Sequence, residues 1–102
     1  MLNSSMQNKT AIVCGSTQGI GKAIAIALAD LGASVILVAR NETKLQIIQE
    51  ELSLPYENQK HEYLCADFSK PEELKEKLTS FLSLKDKIHI LVNNTGGPAP
   101  GL

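Results

Sequence analysis

The run Cys14-Gly15-Ser16-Thr17-Gln18-Gly19-Ile20-Gly21 carries the clearest chemistry in this sequence. It follows an apolar segment, Ala11-Ile12-Val13, and leads into a stretch rich in Ala, Ile and Leu with helical periodicity. Glycine lets a backbone turn sharply and approach an anion with no Cβ in the way. The free N–H groups and the positive dipole end of a following helix then face that anion. A strand-to-helix bend of this kind suits the paired phosphates of a dinucleotide. No Gly-Lys-[Ser/Thr] follows the bend, which argues against a mononucleotide phosphate loop.

These residues need a scaffold, and the chain reads as one. Thr10 to Cys14 is an apolar run without alternation, the pattern of a strand buried on both faces. Gly19 to Leu31 reads as a helix. Its stripe is Ile20, Ile24, Leu28 and Leu31, with Ala23 and Ala27 beside it for close approach to a sheet. Gly32 is placed to end that helix in the left-handed region. Val35 to Ala39 is a second buried strand. Asn41 caps a helix to about Leu52, with Leu45, Ile48 and Leu52 inward. A polar loop containing Pro55 leads to a third strand, His61 to Ala66. Ser69 and Glu72 form a capping box for a helix through about Leu82, with Leu74, Leu78, Phe81 and Leu82 as its apolar positions. Ile88 to Val92 is a fourth strand. The Gly/Pro-rich segment from Gly96 to Gly101 continues neither strand nor helix and reads as a loop.

The pattern is βαβαβαβ, so the expected fold is α/β: a doubly wound, Rossmann-like parallel sheet. With strand order 3-2-1-4, right-handed crossovers put the first two helices on one face and the third on the other. A ligand then binds at the reversal between strands 1 and 4. Strand 4 is left as an open edge, and uncovered apolar sheet favours self-association. Residues 1–9 read as a flexible tail and 10–102 as a partial dinucleotide-binding domain.

A chain of 102 residues is at most one small domain. Its formal net charge of −1 offers no general attraction to nucleic acid or to anionic membranes. The apolar stretch Ala23 to Ala39 is divided at Gly32-Ala33-Ser34, so no membrane span is expected. Cys14 and Cys65 are the only cysteines. They read as two buried, reduced thiols in a cytoplasmic protein, neither a disulfide framework nor a metal site. His61 and His89 read as half-exposed structural residues at strand starts.

Three motifs in order resemble the short-chain dehydrogenase/reductase family, from about Asn8 to Gly96. Cys14 to Gly21 is similar to the family's T-G-x-x-x-G-x-G, with Cys14 where Thr is usual. Asp67 follows strand 3, where the family has an acid near the adenine. Asn93-Asn94-Thr95-Gly96 is similar to N-N-A-G, with Thr95 in place of Ala. The resemblance is closest to NADP-dependent oxoacyl reductases. It implies that Gly15, Gly19 and Gly21 form the pyrophosphate turn, lined by Ser16, Thr17, Gln18 and Ile20. Asp67, with the Phe68 backbone beside it, would accept from the adenine amino group. Asn94 and Gly96, with Thr95 between them, would flank the adenosine ribose, and Asn93 would act as a strut. NAD-using members carry an acid at the end of strand 2. Here that position is Ala39, followed by Arg40 and Asn41. The Arg40 guanidinium suits a 2′-phosphate, so the implied cofactor is NADP(H).

The family transfers hydride with a Tyr-x-x-x-Lys pair, helped by a Ser. Tyr56 and Lys60 have that spacing, but they lie on a loop at the opposite end of the sheet, and four-residue spacing pairs side chains only on a helix. No catalytic residue is assigned. The family's Ser, Tyr and Lys are expected beyond Leu102, so the chain reads as the N-terminal, inactive part of a longer reductase acting on a small-molecule carbonyl, with homo-oligomers implied. Two alternatives stay open: a stand-alone nucleotide-binding or regulatory module, and a non-binding remnant that self-associates.

Overall fold

The structure, a computed structural model, describes residues 6–16, 19–84 and 87–93. Four strands alternate with three helices: β1 (Thr10–Cys14), α1 (Gly19–Asp30), β2 (Ser34–Ala39), α2 (Glu42–Glu51), β3 (Glu62–Cys65), α3 (Pro71–Leu82) and β4 (Ile90–Asn93). All strand pairs are parallel, in the order β3-β2-β1-β4. The doubly wound fold and the strand order are those expected from the sequence.

The register puts alternate residues on two faces. Val13, Val35, Leu37 and Ala39 pack with Ala25 and Ala29 of α1 and with Leu45 and Ile48 of α2. Ile12, Cys14, Ile36 and Val38 face the other way, toward Leu74, Phe81 and Leu82 of α3. Residues 11–14 and 35–39 are all buried, as strands covered on both faces must be. On the α3 side β4 is poorly covered, and Leu91 is 68% exposed.

Helix α1 corrects one expectation. Its buried residues are Gly21, Ala25 and Ala29, while Ala23 and Ala27 are exposed. Ile24 and Leu28 are only half-buried, and Ile20 is 70% exposed. A helix that is apolar on most sides does not announce its inner face. The seam of small residues wins because it lets the helix axis come closest to β1 and β2, which gains contacts along its whole length. The end of α1 is as expected. The N–H of Ala33 reaches the carbonyl of Leu28 at 3.0 Å and the N–H of Gly32 that of Ala29 at 3.0 Å, a Schellman pair.

Helix α3 corrects a second. Its N-cap residue is Lys70, with no side-chain capping bond, so the Ser69/Glu72 box does not form. Pro71 opens the helix and lacks an N–H, which leaves one fewer donor to cap. Two strands are also shorter than expected. His61 lies outside β3 and uses its side chain on β2, and Ile88 lies outside β4 and joins the α3-side cluster. His61 is buried and His89 exposed, rather than both half-exposed, and Cys65 is half-buried where a buried thiol was expected. Among the described residues no helix is long and apolar enough to cross a membrane.

Candidate nucleotide site

The carboxyl ends of β1, β2 and β3 converge on one end of the sheet. The N–H of Gly15 bonds the carbonyl of Val38 at 2.8 Å, and the N–H of Ala66 bonds that of Ala39 at 2.8 Å. These bonds extend the ladders past the strand ends and fix where the following turns leave the sheet.

After β1 the chain turns through Gly15 at φ 72° and enters α1 at Gly19 with φ 61°. Among the described residues, a Cβ added at Gly19 would meet no atom within 4 Å beyond its chain neighbours and its own helix backbone, so the glycine is required by its backbone angle. Ser16 lies between them, 0% exposed. Its Oγ is buried and has no hydrogen-bond partner among the described residues. Buried hydroxyls are nearly always paired, so this one marks a place where an acceptor belongs. Ile20 projects from the first turn of α1, which carries no acidic side chain to repel an anion.

After β2, Arg40 is exposed, and its carbonyl accepts the Cys65 thiol hydrogen at 3.1 Å. Asn41 has a structural role: its Oδ1 accepts the Lys44 N–H at 3.0 Å and caps α2. After β3, Asp67 Oδ1 accepts both the N–H of Ser69 at 2.9 Å and its hydroxyl at 2.7 Å. Those two bonds, with lesser help from the charges of Arg40 and Lys70, hold the Asp67 carboxyl below its ordinary range. The Phe68 side chain packs into the α3-side cluster, which leaves its backbone for the site.

The structure thus brings Gly15, Ser16, Gly19, Ile20, Arg40, Asn41, Asp67 and Phe68 to one end of the sheet. Gly21 sits one residue further in, buried against it. Asn93 pairs with Cys14 at the same end. Thr17, Gln18, Asn94, Thr95 and Gly96 lie outside the described residues. Tyr56 and Lys60 lie at the other end: Tyr56 is next to Gly32, and the Lys60 N–H bonds Ser34 Oγ at 2.9 Å. The contact of Ser69 with Asp67 is not among the expectations from the sequence. The signal was present in the two-residue spacing Asp67-x-Ser69, which favours an Asx turn, but the capping-box reading took precedence.

The comparisons agree with this geometry. The short chain dehydrogenase family profile matches residues 9–101, and the chain belongs to that family. It is 42% identical over 86 residues to human "Inactive hydroxysteroid dehydrogenase-like protein 1", covering 84% of this chain and 26% of that protein. It is 36% identical over 87 residues to "Very-long-chain 3-oxoacyl-CoA reductase" of Neurospora crassa, covering 84% and 26%. Among solved structures it resembles L-sorbose reductase from Gluconobacter frateurii, complexed with NADPH and L-sorbose, with TM-score 0.73 and 31% identity, covering 92% of this chain and 35% of that one. The chain therefore spans about a quarter to a third of the length of these relatives. This is an oxidoreductase family that binds nicotinamide cofactors.

Proposed function

We propose that residues 10–102 form the NADP(H)-binding portion of a reductase that acts on a carbonyl, a 3-oxoacyl group or a similar ketone. The observation that carries this is the Oγ of Ser16, buried in the turn between β1 and α1 and orphaned among the described residues. A phosphate oxygen is an acceptor of the required kind, and no described residue beyond its chain neighbours and its own helix crowds Gly19. When bound, the cofactor supplies the hydride. The chain's part is to bind and orient. Gly15, Ser16, Gly19 and Gly21, with Thr17 and Gln18, hold the pyrophosphate against the start of α1. Arg40 pairs with the 2′-phosphate, and Ala39 offers no carboxylate to hold a free ribose hydroxyl. Asp67 and the Phe68 backbone meet the adenine, and Asn94, Thr95 and Gly96 flank its ribose. The oxidoreductase relatives, one of them solved with NADPH, support this reading.

Titration of the chain with NADPH and NADH, followed by calorimetry, tests it. NADPH should bind more tightly. Arg40→Ala should abolish that preference by weakening NADPH about tenfold or more while leaving NADH unchanged. No NADPH binding, or an indifferent Arg40→Ala, would refute the assignment. A second reading, association through uncovered sheet, draws on the exposure of Leu91 in β4. Sedimentation of Leu91→Lys against the parent chain decides it: a dimer lost in the variant supports association, and equal mass removes it.

A further inference from the structure

We propose that Ser69 is a positioning residue for the adenine subsite: its N–H and its hydroxyl together fix the rotation of the Asp67 carboxylate and reserve Oδ2 for the nucleobase amino group. The inference rests on the cofactor reading above and goes beyond it in assigning a residue.

Three observations converge on Ser69. Both of its donors fall on the same oxygen, Oδ1, at 2.9 and 2.7 Å. A carboxylate that spends one oxygen on two donors is held in one rotamer, with the other oxygen left as the acceptor. Second, the hydroxyl is not engaged by the helix that follows: Ser69 stands one residue before the N-cap, Lys70, and α3 starts without a side-chain cap. Third, the turn is closed by backbone as well, since the Lys70 N–H bonds the Asp67 carbonyl at 3.1 Å. The carboxylate is therefore mounted on a braced turn directly beyond β3. Asp67 lies near the charges of Arg40 and Lys70 and is not buried, so it is ionised at neutral pH without Ser69, which is not needed to supply the charge. Its contribution is orientation, which determines whether a hydrogen bond to a planar base can form in line.

A base-edge comparison isolates this role. Nicotinamide hypoxanthine dinucleotide phosphate presents a carbonyl oxygen where NADPH presents the adenine amino group. Calorimetric Kd values for the reduced forms of both nucleotides should favour NADPH by about tenfold in the parent chain. Ser69→Ala should bring that ratio close to one, as should Asp67→Asn, and Ser69→Thr should restore it. A Ser69 that only stabilised the fold would weaken both nucleotides alike and leave the ratio unchanged. A ratio preserved in Ser69→Ala, with tight NADPH binding, overturns this inference alone. Failure of the parent chain to bind NADPH overturns the cofactor reading and the inference with it.

Discussion

His61 Nδ1 accepts the backbone N–H of Val35 at 3.0 Å, in the buried layer between β2 and the start of β3. An amide N–H only donates, so this ring nitrogen carries its lone pair. The other nitrogen, Nε2, lies 2.7 Å from the carbonyl oxygen of Ser53, which only accepts. The two partners together select one neutral tautomer, with the proton on Nε2. His89 repeats half of the device. Its Nδ1 accepts the Thr10 N–H at 3.0 Å, and its backbone N–H donates to the Thr10 carbonyl at 2.9 Å. Each histidine stands just before a strand and occupies the first free N–H of the neighbouring one. Together they set the register at the end of the sheet far from the nucleotide site.

The two histidines should differ sharply in cost. His61 is 7% exposed, so His61→Ala strands the buried Val35 N–H and removes the donor to the part-buried Ser53 carbonyl. A loss of about 2–4 kcal/mol is expected. His89 is exposed, and water replaces it in His89→Ala for less than about 1 kcal/mol. Urea denaturation of both variants measures the difference, and equal losses would contradict the burial argument.

Gly32→Ala should destabilise for two separate reasons. The residue sits at φ 106°, where an L side chain is strained. The new Cβ would also lie 3.1 Å from the Gln7 backbone and 3.1 Å from Tyr56 Cε2. The strain alone costs about 1–2 kcal/mol. Pairing the substitution with Tyr56→Ala should recover only the part due to the ring. Thermal melts of the two variants separate the terms, and a Gly32→Ala chain as stable as its parent would dismiss both.

The alternation of strands and helices was legible because β1 and β2 are unbroken apolar runs and because Gly32 and Asn41 punctuate the chain with unambiguous chemistry. The inner face of α1 was not. Ile20 and Ile24 carry the stronger hydrophobic signal, yet Ala25 and Ala29 face the core. Periodicity ranks faces by hydrophobicity, whereas packing against a sheet also ranks them by how close two backbones can come. The glycine turn was legible from its residues, and Asp67 was singled out by the family resemblance at the end of strand 3. The brace on Asp67 was not, because Ser69 satisfied a helix-cap pattern equally well. Both patterns are local, and in the structure the Ser69 hydroxyl donates to Asp67 two residues back, while no side chain caps α3.

Acid should report on that brace. The hydrogen bonds from Ser69, aided by Arg40 and Lys70, lower the Asp67 carboxyl below its ordinary value of 3.8. A depressed native value means that the ionised form contributes stability above the ordinary value. That contribution is lost as pH falls through the native value. Carbon-detected NMR titration should find Asp67 titrating below 3.8 in the parent chain and shifted upward in Ser69→Ala. An unshifted carboxyl in the variant would show that the bonds do not persist in solution.

The two thiols should label at different rates. Burial pushes the Cys14 thiol up, away from the reactive thiolate, and the residue is closed in by Ile12 and Val38. Cys65 is half-buried beside Arg40. Iodoacetamide at mildly alkaline pH, followed by mass spectrometry, should modify Cys65 first and Cys14 only when denaturant is added. Early modification of Cys14 would mean that the β1 end opens readily.

Ser16→Ala offers the most discriminating outcome, because fold and function should respond in opposite directions. The Oγ is buried without a partner among the described residues, so in the free chain it costs stability and adds no bond. Replacing it with a methyl group removes that cost, and the chain should gain about 1 kcal/mol in urea denaturation. The same change removes a donor aimed at the phosphates, so NADPH affinity should fall about tenfold. An ordinary core serine would show neither effect together with the other. Its loss would leave nucleotide affinity untouched, or would lower stability and affinity in parallel. A variant that is both more stable and a weaker binder is what a hydroxyl held in reserve for a ligand predicts.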